Sequence, residues 1–538
     1  MNSQPKRVVI DDVDQALSLL DGKIKKEGTS CTHGPRQRCV GCLPLDPYDE
    51  KYLADKGIKH MSFHSYVHKL SDLHGKGTRT KNMLETLNYK INLDCHRHRP
   101  FPEGICTECR PPTVTLSRQP FRHVDNIEFE NDSIVNEFLN FWRNSRCQRI
   151  GFLIGKYEQF TEVPLGIKAV VYAIYEPSQN SNENSVGFEI NEENKDKNNL
   201  NNAVDQLCSW LGMKRIGWIF TDLWNESRTL GTVRCIRNED SFLLSASECI
   251  TAGSLQSHFK NATNYCDTGY FGSKFVTVVA SGNSSKGIDL HGYQVSNQCT
   301  AMVEANILCP TKTHPELAWA REKPLNEKHY ITSVQYTEKN ERGEEVFRDG
   351  RPMPVEYLLV DVPCGVRKVL NYTFPISRGK EFPVENRSEI GQTQELHDIA
   401  KYFNSFKLPD QFLVMASDFH FLLFLLTNNF VEFPKEEIKE LAQIVSKKED
   451  KEAKKWATEN TSLATLCMLI GEIGRQSPRV TSTKITSTTS QTNNNNNITG
   501  GVGGSNSGGG QPEWTCKHCT MLNSANLVDC SMCSLPRS

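Results

Sequence analysis

Hydrophobic and polar positions change their rhythm along the chain. Between residues 121 and 309 short apolar runs alternate with helical stripes. Ile134, Val135, Phe138, Leu139 and Trp142 recur at helical spacing behind Asp132 or Ser133, either of which can cap the helix. Residues 149–157 and 167–175 are β-branched and aromatic runs that predict strands. Val204, Leu207, Cys208 and Leu211 form a second stripe, stopped by Gly212. It leads into 214–223, which reads as a buried strand with a glycine, Gly217, where another backbone could approach closely. A helix over 247–259 and strands over 274–280 and 292–308 complete an α/β order. Residues 178–202, rich in Asn, Ser and charge, read as a flexible surface insertion.

After residue 310 the pattern is irregular and proline-rich around a strand at 355–362, then turns helical over 394–406, 411–428, 435–447 and 451–473. Pro434 stands at the start of the third helix, where a missing N–H costs nothing. The apolar face of Phe412, Met415, Phe419, Leu422, Leu423 and Leu426 reads as core. Residues 1–30 are polar apart from a short patch of Val13, Leu17, Leu19 and Leu20, too little for an independent core. His60, His64 and His68 sit four apart beside Phe63, Tyr66, Val67 and Leu70. A zinc-protease helix needs His-Glu-x-x-His, and Met61 follows His60, so a half-solvated helix face is expected. Residues 477–512 read as a disordered linker with a reach of roughly 30–36 Å, so the C-terminal segment beyond it is tethered.

Composition narrows the function classes. A length of 538 residues allows two to four domains, and 37% hydrophobic residues suffice for real cores. A net charge of -2 gives no general attraction to nucleic acid or anionic membrane. The greasiest run, 419–426, is too short to cross a bilayer, and the first residues show no apolar signal region, so no membrane insertion is expected. Of 19 cysteines, nine are scattered through apolar segments as reduced core thiols, which favours cytosol or nucleus.

The remaining cysteines are grouped with metal-ligand spacing. Cys31, His33, Cys39 and Cys42 form one group, and Cys95, His98, Cys106 and Cys109 a second, with His96 as an alternative to His98. Each group supplies four soft or borderline ligands and ends in a C-x2-C turn, the requirement of a closed, structural tetrahedral Zn2+ site. Beyond the linker, Cys516, Cys519, Cys530 and Cys533 make two knuckles in a segment with few other core residues, so zinc must supply most of its folding free energy. Three structural Zn2+ ions are expected.

Trp514 to Cys533, read as W-x-C-x2-C-x3-N-x6-C-x2-C, resembles the Npl4-type (NZF) zinc finger. Members that bind ubiquitin carry a Thr-plus-aromatic pair after the second cysteine. The resemblance assigns ubiquitin contact to Thr520, Met521 and Met532, methionine replacing the aromatic with an adaptable apolar side chain. The rival use of such a finger, single-stranded RNA binding, needs stacking platforms and arginines, and the finger has Lys517, Arg537 and Trp514 against Glu513 and Asp529.

Taken whole, the chain resembles the nuclear protein localization protein 4 (Npl4) family. His33-Gly-Pro, Cys39-Val-Gly-Cys-Leu-Pro-Leu45, Gly104-Ile-Cys-Thr-Glu-Cys109, Arg122-His-Val-Asp-Asn126, Gly217 to Leu223 and Glu248 to Gly253 carry the resemblance, with further matches to the end. It implies a multidomain α+β protein: paired zinc fingers at 31–120, an MPN-type core at 121–309, a largely helical C-terminal domain at 310–475, and the NZF finger at 513–538. It also implies ubiquitin and polyubiquitin chains as partners, a heterodimer with the ubiquitin fusion degradation protein, and recruitment of ubiquitylated clients to the AAA ATPase valosin-containing protein. A cytoplasmic and nuclear location follows, with association at the ER through partners, in ER-associated degradation. Family members commonly begin with a ubiquitin-like domain. Residues 1–30 are too few for one, so ATPase docking is expected to rest on 31–109 and the partner.

MPN-type isopeptidases hold one Zn2+ with two histidines and an aspartate and keep a position open for water. The histidine positions at the end of the Gly217–Trp218 strand are Phe220 and Asp222 here, and His258 is the sole histidine between Val124 and Leu290. The expectation is a non-enzymatic adaptor. Zinc isopeptidase and RNA-binding ribbon are the disfavoured alternatives.

Overall fold

The computed structural model describes residues 8–26, 33, 39, 41–74, 83–188, 195–227, 231–340, 342–375, 379–476, 514–515 and 522–523. Its centre is an eight-stranded mixed sheet. In chain order the strands are β1 (Asn126–Phe129), β2 (Ile150–Phe160), β3 (Gly166–Tyr175), β4 (Lys214–Asp222), β5 (Val276–Gly282), β6 (Ile288–Val295), β7 (Leu359–Val362) and β8 (Cys364–Val366). They lie in the order β7-β6-β5-β4-β2-β3-β1-β8. The 214–223 run is therefore central, antiparallel to β2 and parallel to β5. Gly217 is required there: a Cβ would meet the Val276 carbonyl oxygen at 2.6 Å and its Cγ2 at 2.5 Å.

Side chains alternate across β4. Ile219 faces helix Asp132–Ser145 with Leu153, Ala169, Val171, Phe138 and Trp142. Trp218 and Phe220 face the other side, toward helices Lys195–Trp210 and Ala246–His258 and the C-terminal helices. The sheet is thus covered on both faces, as a continuous apolar strand demands. The chain is a mixed α/β protein with a helical C-terminal region.

The sheet crosses the expected boundary at 310. Segment 359–366 pairs with β6 through β7 and with β1 through β8, so one short stretch joins both edges. Glu130, fully buried, fixes the onward chain by accepting from Asn371 Nδ2, Thr373 N and Thr373 Oγ1 at 2.9, 2.8 and 2.7 Å.

Several local expectations are corrected by side chains that start helices. Asn131, not Asp132 or Ser133, caps the first core helix by accepting from Ile134 N. The strand expected over 292–308 is β6, then helix Asn297–Glu304 capped by Ser296, then strand Leu308–Pro310. The helix expected over 411–428 breaks at Asp418, whose carboxylate accepts from His420 and Phe421 N. That over 451–473 breaks at Asn460, which accepts from Leu463 N. Part of the 178–202 insertion is ordered, as hairpin Gln179–Ser181/Val186–Phe188, because Phe188 packs against Phe152 and Trp218.

The N-terminal segment is docked rather than independent. Helix Asp12–Ser18 buries Leu17 against Leu165 and Ile167, while Leu19 and Leu20 are exposed. Asp14 is buried between Lys274 and His64 Nε2. Burial opposes the charge on Asp14, but the His64 and Lys274 partners outweigh it and hold the carboxyl below its usual value. Helix Phe63–His74 is therefore not a half-solvated face at its start: Phe63, His64, Ser65 and Val67 are all buried.

Candidate metal centre

The second cysteine group converges. Cys95, His98, Cys106 and Cys109 offer donor atoms within 4.8 Å of one another. Cys95 and Cys106 Sγ lie 3.7 Å apart, Cys106 and Cys109 Sγ 3.7 Å, and His98 Nε2 is 3.2 Å from Cys109 Sγ. A tetrahedron with Zn–S bonds of about 2.3 Å has edges of roughly 3.8 Å, so these spacings suit one ion. His98 Nδ1–H donates to the Arg99 carbonyl at 2.6 Å, which leaves the Nε2 lone pair for the metal. His98, and not its neighbour His96, is the histidine in the group.

The first group repeats the arrangement as far as it is described. His33 Nε2 is 3.3 Å from Cys42 Sγ, and Cys39 Sγ is 3.8 Å from Cys42 Sγ. Cys31 lies outside the described residues. The two C-x2-C turns share their backbone. Cys39 N donates to Cys42 Sγ at 3.2 Å, as Cys106 N does to Cys109 Sγ at 3.1 Å. The first cysteine's carbonyl accepts from Leu43 N in one turn and Arg110 N in the other, both at 3.0 Å. Such turns aim N–H groups at sulfur and favour the thiolate. Those of Cys109 and Glu108 pull Cys106 down to about 6. Three cysteines and one imidazole, with no oxygen donor, are the donor set that a closed structural zinc site requires.

The second group is not held by a substantial core. From residue 90 to 110 only Cys109 is buried. Leu53, Met61, Phe63, Val67 and Phe121 form a small separate cluster, with Phe63 stacked on His123 at 4.5 Å.

At the end of β4 the chemistry is different. Among the described residues the groups of three or more metal-type ligands are the two above, and none lies in the sheet. Phe220 is buried and stacked on Trp218 at 4.8 Å. Asp222, on the same face, accepts from Arg237 Nε at 2.7 Å and from Trp224 Nε1 at 2.8 Å. Arg237 also forks onto Glu248, at 2.8 and 2.6 Å, and covers the rings of Phe220 and Phe242. Glu248 is held in turn by a capping box with Ser245 at the start of helix Ala246–His258. A guanidinium thus occupies the space in front of the Phe220/Asp222 pair. Sequence reasoning missed Arg237, which sits in an irregular segment without periodicity.

In the C-terminal segment, Trp514–Thr515 pairs antiparallel with Leu522–Asn523. Cys516, Cys519, Thr520, Met521, Cys530, Met532 and Cys533 lie outside the described residues, as does the 477–512 linker. No described helix is long and apolar enough to cross a membrane.

Comparison with known proteins gives a consistent result. A family model described as "NPL4 family" matches residues 149–471, and one described as "NPL4 family, putative zinc binding region" matches residues 8–146. The chain is 48% identical to nuclear protein localization protein 4 homolog 1 of Caenorhabditis elegans, over 99% of this chain and 98% of that protein. It is 41% identical to the human homolog, over 99% of this chain and 83% of that one. The Saccharomyces cerevisiae protein is 36% identical over 87% and 81%.

Proposed function

The chain belongs to the NPL4 family, and from that premise we propose that it is a non-enzymatic adaptor that delivers polyubiquitylated proteins to the AAA ATPase valosin-containing protein. It acts as a heterodimer with the ubiquitin fusion degradation protein, and its clients go on to unfolding and proteasomal degradation, those of the ER included. The observation that carries the non-enzymatic part is Arg237. Its guanidinium, fixed by Asp222 and Glu248, fills the space in front of Phe220 and Asp222, the two positions that the resemblance matches to an MPN-type peptidase's histidines. Phe220 has no atom to offer a metal. The sheet is read as an MPN-type core kept for its shape.

The remaining parts divide the labour. Two zinc-clamped segments within 31–120 form the ATPase-facing region, with Cys31, His33, Cys39 and Cys42 on one ion and Cys95, His98, Cys106 and Cys109 on the other. The finger at 513–538 holds a third ion through Cys516, Cys519, Cys530 and Cys533, and offers Thr520, Met521 and Met532 to ubiquitin. A tether makes even a weak contact effective, because it raises the local concentration of the second site.

Two measurements test this. Purified full-length chain is incubated with ubiquitin chains, with and without EDTA, and intact chains are expected in both; EDTA-sensitive cleavage overturns the adaptor reading. Co-purification with the ATPase is expected for the full chain and lost on deletion of residues 31–109. Retention by the deleted chain sinks the assignment of docking to the zinc region.

A further inference from the structure

A second cluster of charge lies between the sheet and the C-terminal helices, away from both cysteine groups. Glu176, just past β3, is buried and receives Arg149 Nε at 2.6 Å and the Arg387 guanidinium. Glu385 accepts from Glu176 N at 3.3 Å and pairs with His420 Nδ1 at 2.9 Å. Asp418 is engaged by the backbone N–H groups that begin its helix. Arg149, Arg387 and His420 therefore balance Glu176, Glu385 and Asp418. The carboxylate left over is Glu137, on helix Asp132–Ser145. Arg387 Nη2 donates to its backbone carbonyl at 3.0 Å, but among the described residues no hydrogen bond or ion pair reaches its side chain.

Glu137 lines a cavity of about 30 Å³, partly open to solvent. That is room for an ammonium group or a water molecule. The charged walls are Glu137, Glu176, Arg387, Asp418 and His420, and the rest is apolar: Ile134, Phe138, Tyr172, Ile174, Phe374 and Phe419. An apolar slot with one unmatched carboxylate suits a cation carried on an alkyl stem, since the stem covers apolar wall while the head meets the charge.

We propose that this cavity takes the ammonium group of a lysine presented by a partner polypeptide, pairing it with Glu137 while the stem lies along the open mouth. A polypeptide is favoured over a free amine by the adjoining groove. This groove of about 430 Å³ shares Arg387 and is lined by Asn386, Ser388, Gln392, Thr393 and Gln394. Asn386, Gln392, Thr393 and Gln394 each make one side-chain hydrogen bond within the chain and keep a further N–H or lone pair that can meet peptide backbone. The site is independent of the zinc centres and of the adaptor reading.

Proton competition gives the pairing a signature. Burial first, then the charges of Asp418 and Glu176 against those of His420 and Arg387, push Glu137 up to about 7. A cation that needs the carboxylate should bind roughly tenfold tighter at pH 8 than at pH 6. The test uses the full chain and follows the Ile134 δ1-methyl by NMR. The titrants are acetyl-Gly-Lys-Gly-amide and its norleucine and Nε-acetyllysine counterparts. The lysine peptide is expected to move the methyl, with the stated pH trend, and the two neutral peptides to leave it in place. Glu137→Gln, near-isosteric and relieved of the surplus charge, should fold and lose the response. Equal shifts from a neutral peptide, an unchanged response in Glu137→Gln, or no shift from the lysine peptide up to its solubility limit each overturn the proposal.

Discussion

The cysteine group at 95–109 and the end of β4 answer the same question in opposite ways. At 95–109 four donor atoms converge in a segment where almost nothing else is buried. At β4 Phe220 and the Arg237 that covers it are buried, and among the described residues no set of three metal-type ligands lies there. The contrast shows what each region needs. A segment without a core needs another tie to fold, which four converging ligands can supply by holding an ion, and a segment with a core holds its shape by packing. In the second case the polar space is filled by an arginine that the neighbouring carboxylates hold.

That contrast can be broken most sharply at the thiols. Cys106→Ser, or removal of zinc by a strong chelator, should unfold residues 90–110 outright, since structural zinc is worth about 10 kcal/mol or more to such segments. Amide exchange should show the loss there and little change in β2–β5. Collapse of the sheet as well would mean that the two regions are not energetically separate. The next largest effect is expected from Arg237→Ala, which strands Asp222 and Glu248 against apolar neighbours and should cost about 3 kcal/mol in denaturant unfolding. A loss near zero would show the guanidinium to be ornamental. Gly217→Ala should cost about 1–3 kcal/mol through the clash with Val276, and it should leave zinc content unchanged.

The smallest effect is a pH slope at the helical junction. Burial opposes the charge on His420, but Glu385 overcomes it and raises the group to about 9. Its contribution is thus fully present below the unfolded value near 6.5 and is lost as pH climbs through 9. Thermal stability should decline from pH 7 to 9, and the decline should be shallower in His420→Phe; an unchanged slope would place its cause elsewhere.

Legibility in the sequence followed the same division. The convergence of the described cysteines and histidines was foreshadowed by C-x2-C spacing, while bringing His98 rather than His96 to the group needed the fold of one turn. Strands β2 to β5 and the long helices showed through their periodicity. Arg237 and the Glu176 network did not, because their partners lie far apart in the chain and in segments without rhythm. Helix breaks at Asp418 and Asn460 were hidden inside apolar runs, where one capping side chain outweighs continuous hydrophobicity. β7 and β8, only a few residues each, carry too little pattern to announce that they belong to a sheet begun at residue 126.

Segment 359–366, which joins both edges of that sheet, sets an order of events on the ribosome. β1 and β6 have been made long before the segment that covers them, and each meanwhile shows an open row of backbone donors and acceptors. At ordinary rates of synthesis the wait for β1 is on the order of tens of seconds. The nascent chain is therefore a sheet with an unfastened seam, a natural client for holding chaperones until residue 366 has emerged.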